Sequence, residues 1–298
     1  MGHRSDIIRK EYNINNIQNV QSMPIYTEKE FMGEKILITA HSGADDTGDN
    51  SREYLQYIER ERAACFEVDV RLIPCKESPA VQAVQALHQD GAGTASEDVS
   101  HDGKDEGILA LGHDEAGEEA ITLEEAFGIL QRNPDMKINC DLKEAGLEGC
   151  VYRLAQRMGV EKQLIYSGDV DPEHILKETG MNMDQIAWNV EAAIHDVDKK
   201  RIFDPVYKAE ILERLSLRCH QYGIKTINIY EGLLDDDFIK LVYSKGLKLS
   251  VWTVNDPDRI TYFFKAGVEN LTTRKLRLAR ELQENCAAGM KTGSAVCV

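Results

Sequence analysis

The chain has no cysteine pair of the CxxC type, no apolar run approaching the roughly 20 residues of a membrane span, and too few bases to balance its acids. Its seven cysteines, at positions 65, 75, 140, 150, 219, 286 and 297, are odd in number and scattered. This excludes a zinc signature and argues against a disulfide framework, leaving reduced thiols as the simplest account. No apolar core of about 7 to 15 residues follows the basic residues near the N-terminus, so no secretory leader is read there. With 51 acidic residues against 35 basic ones the formal charge is -16. That balance disfavours non-specific attraction to nucleic acid or anionic lipid, and an anionic ligand would need a local metal or base to reverse the field. These absences describe a soluble cytoplasmic protein without stable membrane insertion. Internal repeats at a fixed period are also missing.

What is present is an alternation of strands and helices. The 298 residues suit a single α/β barrel of about 250 residues with short extensions. Apolar strands are expected at KILIT (35–39), CFEVDVRL (65–72), ILAL (108–111), KINCDL (137–142), 163–167, 185–190, 226–229, KLSVWTV (248–254) and 268–272. Helices are expected between most of them. Thr122 with Glu125 forms a capping box, and Pro257 takes the favoured first position of a helix. The expected organisation is an N-terminal extension over residues 1–33, a (β/α)8 TIM barrel over 34–284 and a frayed tail over 285–298. Residues 74–107 form a long insertion that begins on the functional rim and is expected to act as a lid. The strands number nine, one more than a barrel holds. The surplus is best placed at ILAL, returning antiparallel beside CFEVDVRL as a hairpin partner outside the barrel count.

CFEVDVRL carries two carboxylates, Glu67 and Asp69, two residues apart, and in a strand such residues point to one face. A solvated edge or a pair of salt bridges would account for them, and so would a site for a hard divalent cation such as Mg²⁺ or Ca²⁺. In a β/α barrel the working groups lie at the C-terminal ends of strands. That rule collects His41 after the first strand, Glu67 and Asp69 on the second, His113 after ILAL, Asp141 and Lys143 at the end of KINCDL, and Trp252 late in KLSVWTV. Carboxylates that hold a cation, a lysine and two histidines of near-neutral pKa suit displacement at phosphorus, where an alcohol leaving group needs a proton.

At these residues the chain resembles the glycerophosphodiester phosphodiesterases. That family's order of motifs is HRG at the end of the first strand, PENT at the next helix, ExDV, a returning strand ending in HD, ExK, VWTVN and a closing ITD. Here AHSG stands at 40–43, GDNS at 48–51, FEVDVRL at 66–72, GHDE at 112–115, NCDLK at 139–143, VWTVNDPD at 251–258 and NLTT at 270–273. The resemblance spans about residues 35 to 282. It implies a barrel, a divalent cation (Mg²⁺ or Ca²⁺) and hydrolysis of a small-molecule glycerophosphodiester to an alcohol and glycerol 3-phosphate. By the same resemblance His41 and His113 are the acid–base pair, Glu67, Asp69 and Asp141 the metal ligands, and Lys143, Trp252, Ser42 and Asn50 the substrate contacts.

Departures from the pattern matter as well. Ser42 stands in place of the family's arginine and cannot reproduce a bidentate phosphate contact. Asp141 is shorter than the usual Glu, Asp49 replaces a Glu, and the closing Asp is absent at Thr272 and Thr273. Two alternatives therefore remain beside glycerophosphodiester hydrolysis: a lysophospholipid or other phosphodiester as substrate, or a non-catalytic barrel that binds a ligand. A metal hydrolase of the amidohydrolase type fits less well, because the first strand lacks HxH.

Overall fold

A computed structural model describes residues 35–73, 107–114, 116, 119–178 and 180–292. The expected N-terminal extension (1–33) and residues 74–106 of the expected insertion lie outside the described residues. Eight parallel strands form a nearly closed TIM barrel: β1 (Leu37–Ala40), β2 (Cys65–Ile73), β4 (Lys137–Leu142), β5 (Leu164–Gly168), β6 (Ala187–Asn189), β7 (Thr226–Tyr230), β8 (Lys248–Trp252) and β9 (Asn270–Thr273). The first and last strands pair, with Leu37 to Ala40 opposite Asn270 to Thr273. At the seam between β5 and β6 a single parallel bridge, Tyr166 to Ile186, carries the ladder across.

The helices follow from local signals. Ser51 caps α1 (Arg52–Glu61), and Thr122 with Glu125 forms the capping box of α2 (Leu123–Arg132). Next come α3 (Glu148–Met158), α4 (Pro172–Glu178) and the one-turn α5 (Val190–Ala193). Asp204 with Pro205, Asp235, and Asp256 with Pro257 start α6 (Pro205–Tyr222), α7 (Asp236–Ser244) and α8 (Pro257–Ala266). The C-terminal segment departs from the sequence expectation. A helix α9 (Leu276–Thr292) runs into the segment expected to fray, with Cys286 buried, and Gln283 just before that segment donates to the Ile36 carbonyl at 2.8 Å. The helix packs against β1, and Cys286 is buried where it enters the segment expected as tail. Among the described residues no helix is long and apolar enough to cross a membrane.

The ninth strand, β3 (Ile108–Leu111), pairs antiparallel with β2 alone. Its partners are Val70 to Ile73: Val70 is also the last residue of the β4 ladder, and Arg71 to Ile73 continue past the ends of both the β1 and β4 ladders. An antiparallel return needs no crossover helix, and β3 therefore stands outside the eight parallel strands of the barrel.

Register separates the two faces of the barrel. Phe66, Val68, Val70, Ile138, Leu142, Ile227, Ile229, Leu249 and Val251 are buried in the apolar core between sheet and helices. The other face is polar: Asp69 lies beside Asp141 and Ser167, Glu67 beside Asn139, and Asn189 beside Asn228, Ser250 and Asn270. Hydrogen bonds link these side chains across the strands, Thr39 to Asn270 at 2.7 Å, Asn270 to Ser250 at 2.9 Å and Asn228 to Asn189 at 2.8 Å. Burying polar groups costs free energy unless they are paired, and these bonds pair much of the layer, while the buried Asn139 Oδ1 has no partner among the described residues.

Candidate active site

The carboxylates are set by register. Asp69 on β2 and Asp141 on β4 are direct ladder neighbours, and Glu67 lies two residues lower on the same face. Ligand atoms of the three lie within 4.8 Å of one another, with Glu67 7% and Asp69 1% exposed. Each acid is held from behind. Asn139 donates to Glu67 Oε2 at 3.0 Å, and Ser167 donates to Asp141 Oδ1 at 3.4 Å. Gly168, at φ +82, leaves room for Asp141, since a Cβ there would stand 2.3 Å from Asp141 Oδ1.

Burial pushes the Glu67 carboxyl above its ordinary range, and the charges of Asp141 and Asp69 add to the shift. Asp141 is also raised, by burial first, with Lys143 opposing. So much negative charge in one buried patch calls for a cation. The donor set is all oxygen, and it fits a hard divalent ion.

Lys143 supplies positive charge from the protein. Its Nζ lies 2.6 Å from Asp141 Oδ2 and 2.9 Å from Asp69 Oδ1. Burial opposes that charge, but the two aspartates outweigh it and hold the amine above the usual lysine value.

His41 stands at the end of β1, where its backbone N–H donates to Thr273 at 2.9 Å. Its Nε2 lies 3.6 Å from Glu67 Oε1, and the Ser42 hydroxyl lies 3.2 Å from its Nδ1. Burial pushes His41 down to about 4, and the charge of Arg274 adds to the shift. The Tyr54 hydroxyl joins the ends of β1 and β2 by donating to the carbonyls of Ala40 at 2.9 Å and Glu67 at 3.1 Å.

His113 reaches the site by a different route. β2 overshoots the rim, and β3 runs back down it until the Gly112 N–H donates to the Asp69 carbonyl at 3.0 Å. The C-terminal end of an antiparallel strand thus lands at the same rim as the parallel strands. Arg71 grips the His113 carbonyl at 2.9 and 2.8 Å and pairs with Glu144 at 3.0 Å. The imidazole side chain is 63% exposed, and its Nδ1 lies 2.7 Å from Asp114 Oδ1.

Two of the expected substrate contacts sit behind the rim. Ser42 is buried against His41. Asn50, in a left-handed conformation at φ 50, donates to Asp69 Oδ2 at 2.7 Å and accepts from the Asp69 backbone N–H at 3.0 Å. Ser42 and Asn50 thus contact His41 and Asp69. Trp252 lies beside Tyr230 with ring centroids 5.9 Å apart, and its buried indole N–H has no acceptor among the described residues.

Sequence reasoning missed Arg274 and Tyr230. Tyr230 is the last residue of β7 and Arg274 the first after β9, so the strand-end rule could have found them had it been applied to every strand. Arg274 pairs bidentately with Asp49.

Fold and site together define a β/α-barrel hydrolase with an acidic rim. Residues 113–276, more than half of the sequence, match the Glycerophosphoryl diester phosphodiesterase family, and the chain belongs to that family. It is a phosphoric diester hydrolase. Solved structures agree on the fold. A glycerophosphodiester phosphodiesterase from Parabacteroides distasonis is 14% identical with a TM-score of 0.57, covering 85% of this chain and 99% of its own. One from Thermotoga maritima is 16% identical at a TM-score of 0.53, covering 84% and 99%. An Oleispira antarctica phosphodiesterase, solved with the product sn-glycerol-3-phosphate, is 13% identical at 0.54, covering 86% and 99%. No curated protein sequence matches the chain.

Proposed function

We propose that the chain hydrolyses glycerophosphodiesters to an alcohol and glycerol 3-phosphate in a divalent-cation-dependent reaction, with His41 and His113 as the acid–base pair. The observation that carries this reading is the convergence of Glu67, Asp69 and Asp141 within 4.8 Å, with His41 beside Glu67. The Oleispira antarctica relative holds sn-glycerol-3-phosphate, which supports the glycerol phosphate half of the substrate.

Glu67, Asp69 and Asp141 are the residues to hold Mg²⁺ or Ca²⁺, which when bound supplies neutralisation of the charge that develops on the phosphoryl oxygens. His41, beside the acids and oriented by Ser42, accepts a proton from the attacking water, whose oxygen bonds to phosphorus. A new P–O bond forms as the P–O bond to the alcohol breaks. His113 donates the proton that the departing alkoxide needs, and its exposed position with Asp114 on the other ring nitrogen suits a group facing a product that leaves to solvent. Lys143 lies between Asp69 and Asp141, where its charge also faces the phosphoryl group. Trp252 and Tyr230 offer aromatic surface to the carbon skeleton.

Ser42 in place of an arginine favours a second substrate class, lysophospholipids, which one experiment can compare directly. Glycerophosphocholine, further glycerophosphodiesters and lysophospholipids are each assayed with Mg²⁺, Ca²⁺ or EDTA. Release of glycerol 3-phosphate that needs a cation, and that falls about 10²- to 10⁴-fold in both His41→Ala and His113→Ala, is the expected result. Unchanged release in both variants would remove the acid–base assignment, and cleavage confined to lysophospholipids would move the substrate class.

A further inference from the structure

The diester is an anion approaching three carboxylates in a chain of net charge -16. Lys143 already binds Asp69 and Asp141. A second cation stands at the same end of the barrel: Arg274 is the first residue after β9, and the preceding Thr273 pairs with Ala40 and accepts the His41 backbone N–H at 2.9 Å.

A guanidinium carries five N–H donors in a planar fork. Arg274 uses three of them on the protein: Nη1 donates to the Gly43 carbonyl at 2.9 Å and to Asp49 Oδ1, and Nη2 donates to Asp49 Oδ2 at 2.9 Å. Asp49 thus occupies the end of the fork. The Nε–H and the second Nη2–H form its remaining edge, and among the described residues no acceptor takes them. Two parallel N–H groups at that spacing match two oxygens of a phosphate.

The group is also fixed before any ligand arrives. The backbone N–H of Arg274 donates to Asn255 Oδ1 at 2.8 Å, and its carbonyl accepts from Asp45 at 2.8 Å. Asp49 itself is pressed against Gly43, where a Cβ would come within 2.3 Å of Asp49 Oδ1. An arginine normally loses rotamer freedom when it binds an anion, and here the protein has already restricted it.

We propose that Arg274 is a substrate-binding residue of the phosphodiesterase reaction, its Nε–Nη2 edge gripping two non-bridging oxygens of the phosphate from the end of β9. This rests on the reading of the rim as the phosphodiester site. Its competitor is a purely structural role, in which Arg274 only fastens the loop carrying Asp49 to β9.

Comparing Arg274→Ala with Asp49→Ala separates the two roles, because a clamp fails equally whichever partner is removed. Two readouts are taken on the full chain with Mg²⁺ or Ca²⁺: kcat/KM, and calorimetric binding of sn-glycerol 3-phosphate. We expect Arg274→Ala to weaken glycerol 3-phosphate binding by about 10- to 100-fold and Asp49→Ala by less than about 5-fold. Guanidinium ion at millimolar concentration should partly restore Arg274→Ala and leave Asp49→Ala unchanged. Equal losses in the two variants, or glycerol 3-phosphate binding in Arg274→Ala equal to that of the parent chain, would overturn the proposal. Should Arg274→Ala not fold, Arg274→Lys keeps the charge without the fork and must still show weaker binding for the proposal to stand. Binding without hydrolysis in the parent chain would overturn the reading of the reaction while the binding comparison still decides Arg274.

Discussion

The two halves of the barrel line the same interior with different chemistry. Strands β1, β2 and β4 present His41, Glu67, Asp69, Asp141 and Lys143, while β6 to β9 present Asn189, Asn228, Ser250, Asn270 and Thr272, with Tyr230 and Trp252 at their ends. The first half concentrates charge whose burial is unfavourable without a ligand, as the raised Glu67 and Asp141 carboxyls record. The second is neutral: Asn228 donates to Asn189, Asn270 donates to Ser250, and Asn270 accepts from Thr39 of β1. One half thus gathers charge and the other neutral hydrogen-bonding groups, and Arg274 follows the last strand of the neutral half, next to His41.

The largest expected break in this contrast is Asp69→Asn. It should lower kcat by about 10²- to 10³-fold and remove the calorimetric signal of Mg²⁺ or Ca²⁺ binding, with far-UV circular dichroism unchanged. An unaltered cation titration would take Asp69 out of the metal set.

Next comes Asn50→Ala, which frees the Asp69 carboxylate without touching its charge. Cation affinity should weaken by about 10- to 100-fold with little change in kcat at saturating cation. On the neutral half, Trp252→Ala should raise KM by roughly 10-fold through lost apolar contact and leave cation affinity intact. A kcat loss as large as that of Asp69→Asn would erase the division between the halves.

Asn228→Ala should behave as a stability variant. It leaves Asn189 without its partner at a cost of about 1–3 kcal/mol, visible as a Tm lowered by a few degrees, with activity per folded molecule unchanged.

The smallest effect concerns pH. The hydrogen bond from Arg274 holds the Asp49 carboxyl below its ordinary value of 3.8. The clamp therefore contributes fully above that value and is lost as pH falls through the lowered one. Asp49→Asn should flatten the acid limb of a stability-versus-pH curve measured by thermal melts, and an unchanged limb would show the clamp to be energetically silent.

The alternation of strands and capped helices was legible in the residues themselves, as Thr122 with Glu125 and Pro257 illustrate, because caps and periodicity are local. The pairing of Glu67 and Asp69 on one face was legible for the same reason. Helix α9 was not, since the small polar residues after Cys286 give a weak pattern and extend a helix that contacts Ile36 earlier in its length, through Gln283. The expected places of Ser42 and Asn50 came from motif position. Their actual contacts, with His41 and Asp69, depend on how the loop after β1 folds back over β2. Arg274 was overlooked because its partner Asp49 lies 225 residues away.

By itself, then, the sequence determined the element types, the two-residue spacing of Glu67 and Asp69 and the family to which the ordered motifs belong, all properties of neighbours along the chain. Tertiary structure decided which strands lie side by side, and with them the register that sets Asp141 against Asp69. It also decided the antiparallel return that brings His113 to the rim and the closure of β9 on β1 that sets Arg274 near His41. Those placements join residues tens to hundreds of positions apart, and only packing around a common core can bring them together.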